Sequence, residues 1–483
     1  MGLLYPGIEY QSYWFLKKAT IIVGGSMFLQ NNNRTNMRYP RCGAFDVGVL
    51  VSSKKNMVNL RNLCIKGSRV SAGGLAGEVE EEAGHDFAAA GRTRPCHKTP
   101  SFFLALKYSL PLNVKKICVL LVLALIAVIG GMCINRVVYA GTVSLPQTGQ
   151  VKSHDANTPQ RDDGAIMAGV PWPKPRFTDN GNNTVTDNLT GLLWSKDAVV
   201  PTVGGCKGGL KNWKGALDYV ACLNTAKYLG HSNWRLPNVN ELASLVNAGA
   251  SSASWLNTQG FTNVQANYYW SSTTYANASN TSVAWGVNMD SGDMISDVKS
   301  SYHHVWAVSG GDSVAPSSVW STGQTASYVA GDDGALHKGV QWPELRFKDN
   351  DNNTVTDTLT QLLWVKDAGT PTVGSCKGST NTWQGALDYV KCLNSASYLG
   401  YTNWRLPNKN ELYSLVDHAM SSPALASGHP FKNVQSGTYW SSTTLPANTS
   451  YCWGVNIEDG KVNVSVKSIN GYVWPVRSVG GGN

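Results

Sequence analysis

Past residue 175 the apolar residues recur in two rhythms. Trp213, Ala216, Leu217, Val220 and Leu223 share one stripe of a helical period, so "NWKGALDYVACLN" predicts a helix with Asn212 as its N-cap. "NVNELASLVNAG" predicts a second, with Asn238 as cap, Leu242, Leu245 and Val246 on the stripe and Gly249 as the stop. Ahead of both, "NNTVTDNLTGLLW" alternates and turns like a β-hairpin. Behind them, "NYYWSST", "SVAWGVNM", "DMISDVKS" and "HVWAVS" read as short strands, with "DSGD" and, further on, "EDGK" as hairpin turns. A hairpin, two helices and a run of antiparallel strands make an α+β domain.

The whole pattern is written twice. "NWRLPNVNEL" at 233–242 returns as "NWRLPNKNEL" at 403–412. "DDGA" occurs at 162–165 and 332–335, "RFTDNGNNTVTDNLTGLLW" at 176–194 answers "RFKDNDNNTVTDTLTQLLW" at 346–364, and "YWSSTT" stands at 269–274 and 439–444. Each copy covers about 145 residues, a domain rather than a solenoid repeat. The expected divisions are a first domain at 141–310, a Ser/Gly/Ala-rich linker at 311–330 and a second domain at 331–483. In "NWRLP" the Trp is a core anchor, and Pro fixes the turn into the helix. Arg235 and Arg405 are placed to pair with an acid or carbonyl beside that helix rather than to hold a ligand.

Charge separates the repeats from what precedes them. Residues 1–140 carry 17 Lys+Arg against 7 Asp+Glu, whereas residues 141–483 carry 23 against 24. The net +9 therefore gives the repeats no grip on nucleic acid. Between the two lies "VKKICVLLVLALIAVIGGMCINRVVYA", residues 114–140: two lysines, an apolar run from Ile117 to Cys133 and a V-Y-A ending. This is the layout of a secretory signal peptide; the apolar run is short for a membrane anchor. Contact with a membrane is expected only through an uncleaved leader. Residues 1–113 are then expected to be a mis-called or disordered extension, with translation starting near Val114 or Leu110.

Cysteine usage agrees with export. Cys206 and Cys222, then Cys376 and Cys392, form equivalent pairs 16 apart, predicting one disulfide in each copy. Cys452 is left over, either a buried thiol or an intermolecular link. "LPQTG" at 145–149 matches a sortase signal but follows the leader instead of preceding a C-terminal span, and is discounted.

Together these motifs, with a "VW" pair closing each copy, resemble the Lcl C-terminal domain family, a bacterial extracytoplasmic module. The resemblance implies a C-type-lectin-like fold in two tandem domains, each with two helices and short antiparallel strands. "WRLPN.NEL" is similar to the corresponding segment of formylglycine-generating-enzyme-like domains on that fold. It also implies surface or periplasmic binding, some members being implicated in adhesion to sulfated glycans.

Catalytic signatures are scarce. No Ser-His-Asp pattern, H-E-x-x-H or phosphate loop stands out, and His303 and His304 are adjacent on a strand and so face apart. Calcium is the one cofactor suggested, by Asp349, Asp351, Asn353 and Asp357 at positions 1, 3, 5 and 9 of a loop. An E-P-N or Q-P-D sugar–calcium tripeptide is absent. A ligand face is expected where the copies diverge in loops. Its candidates are Tyr268, Asn288, Asp290 and Asp293, then Tyr439, Asn456, Glu458 and Asp459. The expected function is that of a secreted, periplasmic or cell-surface tandem binding protein, non-catalytic, for a glycan or protein ligand. The alternative is a structural envelope or appendage component with a fixed protein partner.

Overall fold

The computed structural model describes residues 141–199, 201–275, 281–311 and 315–479, together with five short strands between residues 19 and 104. Those strands are β1 (Ala19–Met27), β2 (Ala44–Ser53), β3 (Asn56–Asn59), β4 (Cys64–Lys66) and β5 (Phe103–Leu104), paired antiparallel in a compact unit of residues 1–136. The leader read at 114–140 lies outside the described residues. No helix among the described residues is long and apolar enough to cross a membrane.

Residues 137–483 form the second compact unit, which holds both copies. In the first copy β6 (Phe177–Asp179), β7 (Thr184–Asp187), β8 (Leu192–Ser195) and β12 (Val308–Gly310) make an antiparallel sheet ordered β12-β8-β7-β6. In the second, β13 (Phe347–Asp349), β14 (Thr354–Asp357), β15 (Leu362–Val365) and β19 (Val476–Ser478) repeat it. The helices of the first copy are α1 (Asp163–Ile166), α2 (Trp213–Thr225), α3 (Val239–Ala243) and α4 (Ser252–Asn257). Those of the second are α5 (Asp333–Leu336), α6 (Trp383–Ser395) and α7 (Lys409–Ser414).

The helix reading of α2 holds in detail. Asn212 accepts from the Gly215 N–H, and the whole predicted stripe is buried. The second helix is shorter than its sequence predicts: it ends at Ala243, after which the Leu245 and Val246 N–H groups turn tightly back to the Leu242 and Ala243 carbonyls. Leu245 and Val246 still reach the core. Each copy is cross-linked as predicted, Cys206–Cys222 and Cys376–Cys392, between α2 or α6 and the loop before it. Each bridge closes a short loop, worth about 3 kcal/mol by the chain-entropy argument. Two disulfides indicate an oxidising environment. Cys452 is a buried free thiol where the first copy has Ala284.

The copies are not two separately packed bodies. Strands β9 (Tyr268–Thr274), β10 (Val283–Asn288) and β11 (Met294–Val298) of the first meet β16 (Thr438–Thr444), β17 (Tyr451–Asn456) and β18 (Val462–Val466) of the second. They form one six-stranded sheet, ordered β16-β17-β18-β11-β10-β9, joined where Met294 faces Val462. One hydrophobic cluster runs through both copies and includes Trp194, Trp285 and Trp306 with Trp364, Trp453 and Trp474. Twelve tryptophans are fully buried among the described residues. They hold the frame.

The joint read as a linker at 311–330 is part of the packing. Ser317, Val319, Trp320, Thr322 and Gln324 are buried. Val319 and Trp320 join the shared hydrophobic cluster, and Thr322 and Gln324 are hydrogen-bonded within the packing.

Candidate functional site: the exchanged arms and the groove beside them

Two segments of like sequence precede the two copies: residues 143–170, the first arm, and residues 317–340, the second arm. Thr148-Gly149-Gln150 in the first answers Thr322-Gly323-Gln324 in the second. Each arm lies chiefly on the opposite copy from the one it leads into, and each is also bonded to its own, the Ala248 N–H donating to the Thr148 carbonyl at 2.8 Å and the His418 N–H to the Thr322 carbonyl at 2.9 Å. Gln150 bonds the Thr444 backbone at both ends of its amide, donating to the carbonyl at 2.6 Å and accepting from the N–H at 3.0 Å. Gln324 does the same to Thr274, at 2.7 and 3.0 Å. A glutamine side chain thus stands in for a neighbouring strand beside β16 and β9.

The "DDGA" and "YWSSTT" motifs meet across this exchange. The Asp163 carboxylate accepts from Thr148 at 2.6 Å and from Thr443 at 2.7 Å. Asp333 accepts from Thr322 at 2.6 Å and Thr273 at 2.8 Å. The "NEL" helices close the clamp. Asn408 and Asn410 donate to the carbonyls of Ala168 and Pro146, each at 3.0 Å. Asn238 and Asn240 donate to Lys338 and Trp320 at 3.1 and 3.0 Å. Gly164 and Gly334 let each arm fold closely on itself, since a Cβ there would meet the Lys152 or Ala326 carbonyl of the same arm at 2.0 or 1.9 Å.

The arginine of "NWRLP" holds this clamp in shape. Arg235 makes two bonds to Glu241, at 2.5 and 2.6 Å, and Arg405 pairs with Glu411 in the same way. Both glutamates also accept from the N-cap asparagine, completing a capping box. This is the structural pairing the sequence predicts, and it leaves neither arginine for a ligand.

Burial pushes the Asp163 carboxyl up to about 6 and the Asp333 carboxyl up to about 7. Both folded-state values exceed the ordinary 3.8, so the folded chain keeps protons the unfolded chain has released. Their contribution to stability is complete below about pH 4 and is lost as pH rises to 7. His418, fully buried and drawn down to about 3, opposes this below pH 6.5, and Lys409, drawn down by burial to about 8, opposes it at alkaline pH. Burial also raises Asp293 and Asp417 and lowers His154, His304 and His429, so the two carboxyls are read against a variant that lacks them. Relative to the pair Asp163→Asn and Asp333→Asn, the unaltered chain should gain about 5 °C in thermal midpoint from pH 8 to pH 5, as scanning calorimetry of both across the range would show.

The expected ligand face is placed differently. Tyr439 is fully buried, its hydroxyl donating to the Ala368 carbonyl, so it cannot meet a ligand; Tyr268 is half-buried against His303. Asn288 and Asn456 turn their side chains to the N–H groups of Asp290 and Glu458, shaping hairpin tips. Those tips sit on the seam between copies: a Cβ at Gly292 would meet Trp453, and one at Gly460 would meet Trp285. Asp459 pairs with Lys461 at 2.8 Å, and the largely buried Asp293 carboxylate accepts from the Ser291 hydroxyl at 2.7 Å. Asp290 and Glu458 stay exposed.

The calcium set does not converge either. Asp349 is bonded to Lys366, whose ammonium holds its carboxyl below the usual range. Asp357 is buried against Arg346, the Leu359 N–H and Thr360. Asp351 and Asn353 take left-handed turn positions, with φ of 58° and 61°. This is an Asx-rich turn fastened by lysine. No group of three or more acidic, His or Cys side chains suited to a metal occurs among the described residues.

A shallow open groove of about 450 Å³ lies beside the first arm on the second copy. His154 from the arm, Thr382, Trp383 and Gln384 at the start of α6, Thr449, Lys467 and Ser468 line it. The Lys467 ammonium rests 3.5 Å over the Trp383 ring and donates to Thr444 at 2.7 Å. In the first copy Tyr328 stands in the place of His154, 5.2 Å from the ammonium of Lys299. Neither this groove nor the arms were singled out from sequence.

The Lcl C-terminal domain model matches residues 183–309 and again residues 353–477, together just over half of the 483-residue chain. The chain belongs to the Lcl C-terminal domain family. No curated protein matches it. Both Lcl C-terminal matches begin after the arms, so the family core supplies the seats and the flanking segments supply what sits in them.

Proposed function

We propose that this chain is an exported, non-catalytic recognition protein of the bacterial envelope or exterior. Its two Lcl C-terminal repeats, of C-type-lectin-like fold, act as one rigid head. The groove beside α6 is its recognition surface, for a polar glycan or protein ligand. What carries this reading is the division of labour between shared and divergent residues. The acids, arginines and threonines common to both copies are consumed by the frame and the arms. Around the groove the copies differ at His154, where the other arm has Tyr328; Gln384, where the first copy has Lys214, differs too but is bonded to Asp155 and Ala156 of the arm. Two disulfides, the leader-like segment and the near-neutral repeats suit export without affinity for nucleic acid.

Residues 141–483 displayed to a glycan array and to envelope extracts should retain a ligand. His154→Ala should weaken that binding at least about tenfold without moving the melting temperature, and Lys467→Ala should weaken it further while lowering the melting temperature, because it also removes the bond to Thr444. Binding indifferent to both substitutions would remove the groove from the reading. Stoichiometric co-purification of one envelope protein, with no glycan bound, would favour the structural role instead.

A further inference from the structure

Both copies lay a lysine on a buried tryptophan, Lys467 over Trp383 at 3.5 Å and Lys299 over Trp213 at 3.9 Å. Each ammonium also donates to a strand threonine, Thr444 at 2.7 Å and Thr274 at 2.9 Å. What differs is the arm beside it. In the second arm the Tyr328 N–H donates to the Asp332 carboxylate four positions on; in the first, the His154 N–H donates to Asp162 eight positions on. With the shorter turn, the Tyr328 ring stands 5.2 Å from the Lys299 ammonium as a second aromatic against it. The longer turn carries its four extra residues onto α6, where Asp155 and Ala156 bond Gln384 and Asn157 bonds Asp388. The groove opens beside Lys467, with His154, Thr449 and Ser468 among its walls.

The charge in that groove is one-sided. Among the described residues no acidic side chain lines it. The two carboxylates whose fields reach Lys467 are held by the arm itself. Asp155 accepts from the Asn157 and Arg161 N–H groups, and Asp162 from the Ser153 hydroxyl and the His154 N–H. Trp383 is the only tryptophan or tyrosine in the described lining, and it is buried beneath the ammonium, which leaves no ring face for a sugar to stack on.

On the reading that the groove beside α6 is the recognition surface, we propose that it takes the carboxylate of an acidic peptide segment, at one site per chain, its counterpart in the first copy being closed by Tyr328. The Lys467 ammonium supplies the charge. The Thr449 and Ser468 hydroxyls and the His154 ring supply hydrogen bonds to the carboxylate and the peptide backbone.

The probes are an alternating Gly-Glu octapeptide, its Gly-Gln twin and an oligouronate of equal charge, each fluorescently labelled. They are titrated at physiological salt into the full-length chain and into residues 141–483, so that binding by the basic residues 1–140 is subtracted. The Gly-Glu peptide should bind at one site, at least about tenfold tighter than the twin or the oligouronate. His154→Tyr, which copies the closure of the first arm, should weaken it at least about tenfold, and Tyr328→Ala should add a second site. Lys467→Gln should abolish the preference for Glu over Gln, a ratio that a general loss of stability leaves unmoved. Equal binding of the two peptides, an oligouronate bound as tightly, or two sites in the unaltered chain would overturn the proposal while leaving the groove itself to the His154→Ala measurement. Peptide binding indifferent to both His154→Tyr and Lys467→Gln would overturn the groove as well.

Discussion

Replacing Glu411 by alanine is expected to lower the melting temperature by on the order of 10 °C, and to melt both repeats in one transition. Glu411 does three things at once: it neutralises Arg405, accepts from the Asn408 N–H, and keeps Asn408 aimed at the first arm. Both side chains of the pair are almost fully buried. Removing one partner strands the other in a medium that solvates it poorly, which costs about 3–5 kcal/mol. The loss cannot stay in the second repeat, since the loosened arm leads directly into the first. Two transitions by calorimetry, with only the second repeat shifted, would show that the copies fold independently. The conservative Glu411→Gln should recover part of the loss, because an amide oxygen still serves the cap.

Much of each repeat is legible in sequence because its interactions are local. The α2 stripe, its cap, the cysteine pairs and the arginine beside the "NEL" helix all lie within about 25 residues of their partners. The calcium reading failed on the same ground in reverse. Spacing places oxygens correctly in "DNDNNTVTD", but nothing in the spacing says that Lys366 and Arg346 already hold two of them. The ligand face was sought where loops diverge, which is reasonable for an isolated domain. Here divergence also marks the seam, where the turns at Gly292 and Gly460 pack against Trp453 and Trp285 of the other copy.

The arms were hidden for a different physical reason. Hydrophobic periodicity finds elements that bury apolar side chains, and these arms bury polar ones. Thr148, Gln150, Asp162 and Asp163 are all nearly inaccessible; Gln150 and Asp163 are satisfied by partners far off in the chain, and Thr148 and Asp162 by others in the arm itself. Ser/Gly/Thr-rich composition looks like a solvated tether when those partners are unseen. One signal was present: "TGQ" recurs 174 positions apart, each time shortly before "DDGA". A tether has no reason to conserve such a pattern between its two ends, whereas a segment clamped residue by residue does.

Deleting residues 141–168 should therefore damage the distant repeat before the adjacent one. The deletion removes the Gln150 pair from Thr444, the Asp163 acceptor from Thr443 and the carbonyls clamped by Asn408 and Asn410. It also strips Val143, Leu145 and Ala168 from the buried interior. The Thr443 hydroxyl and the Thr444 N–H are left facing water at an unpaired strand edge, while the second arm still covers Thr273 and Thr274. Amide exchange around 408–413 and 442–444 should accelerate about a hundredfold, equivalent to about 3 kcal/mol of local protection. The matching amides around 238–243 and 272–274 should change less. Equal acceleration in both repeats would mean that the arm stabilises the unit only as a whole. Faster exchange in the first repeat alone would mean that it belongs energetically to the copy it precedes, and the crossed seating would then carry no weight. The asymmetry is what separates an arm that reaches across from a leader that merely lies nearby.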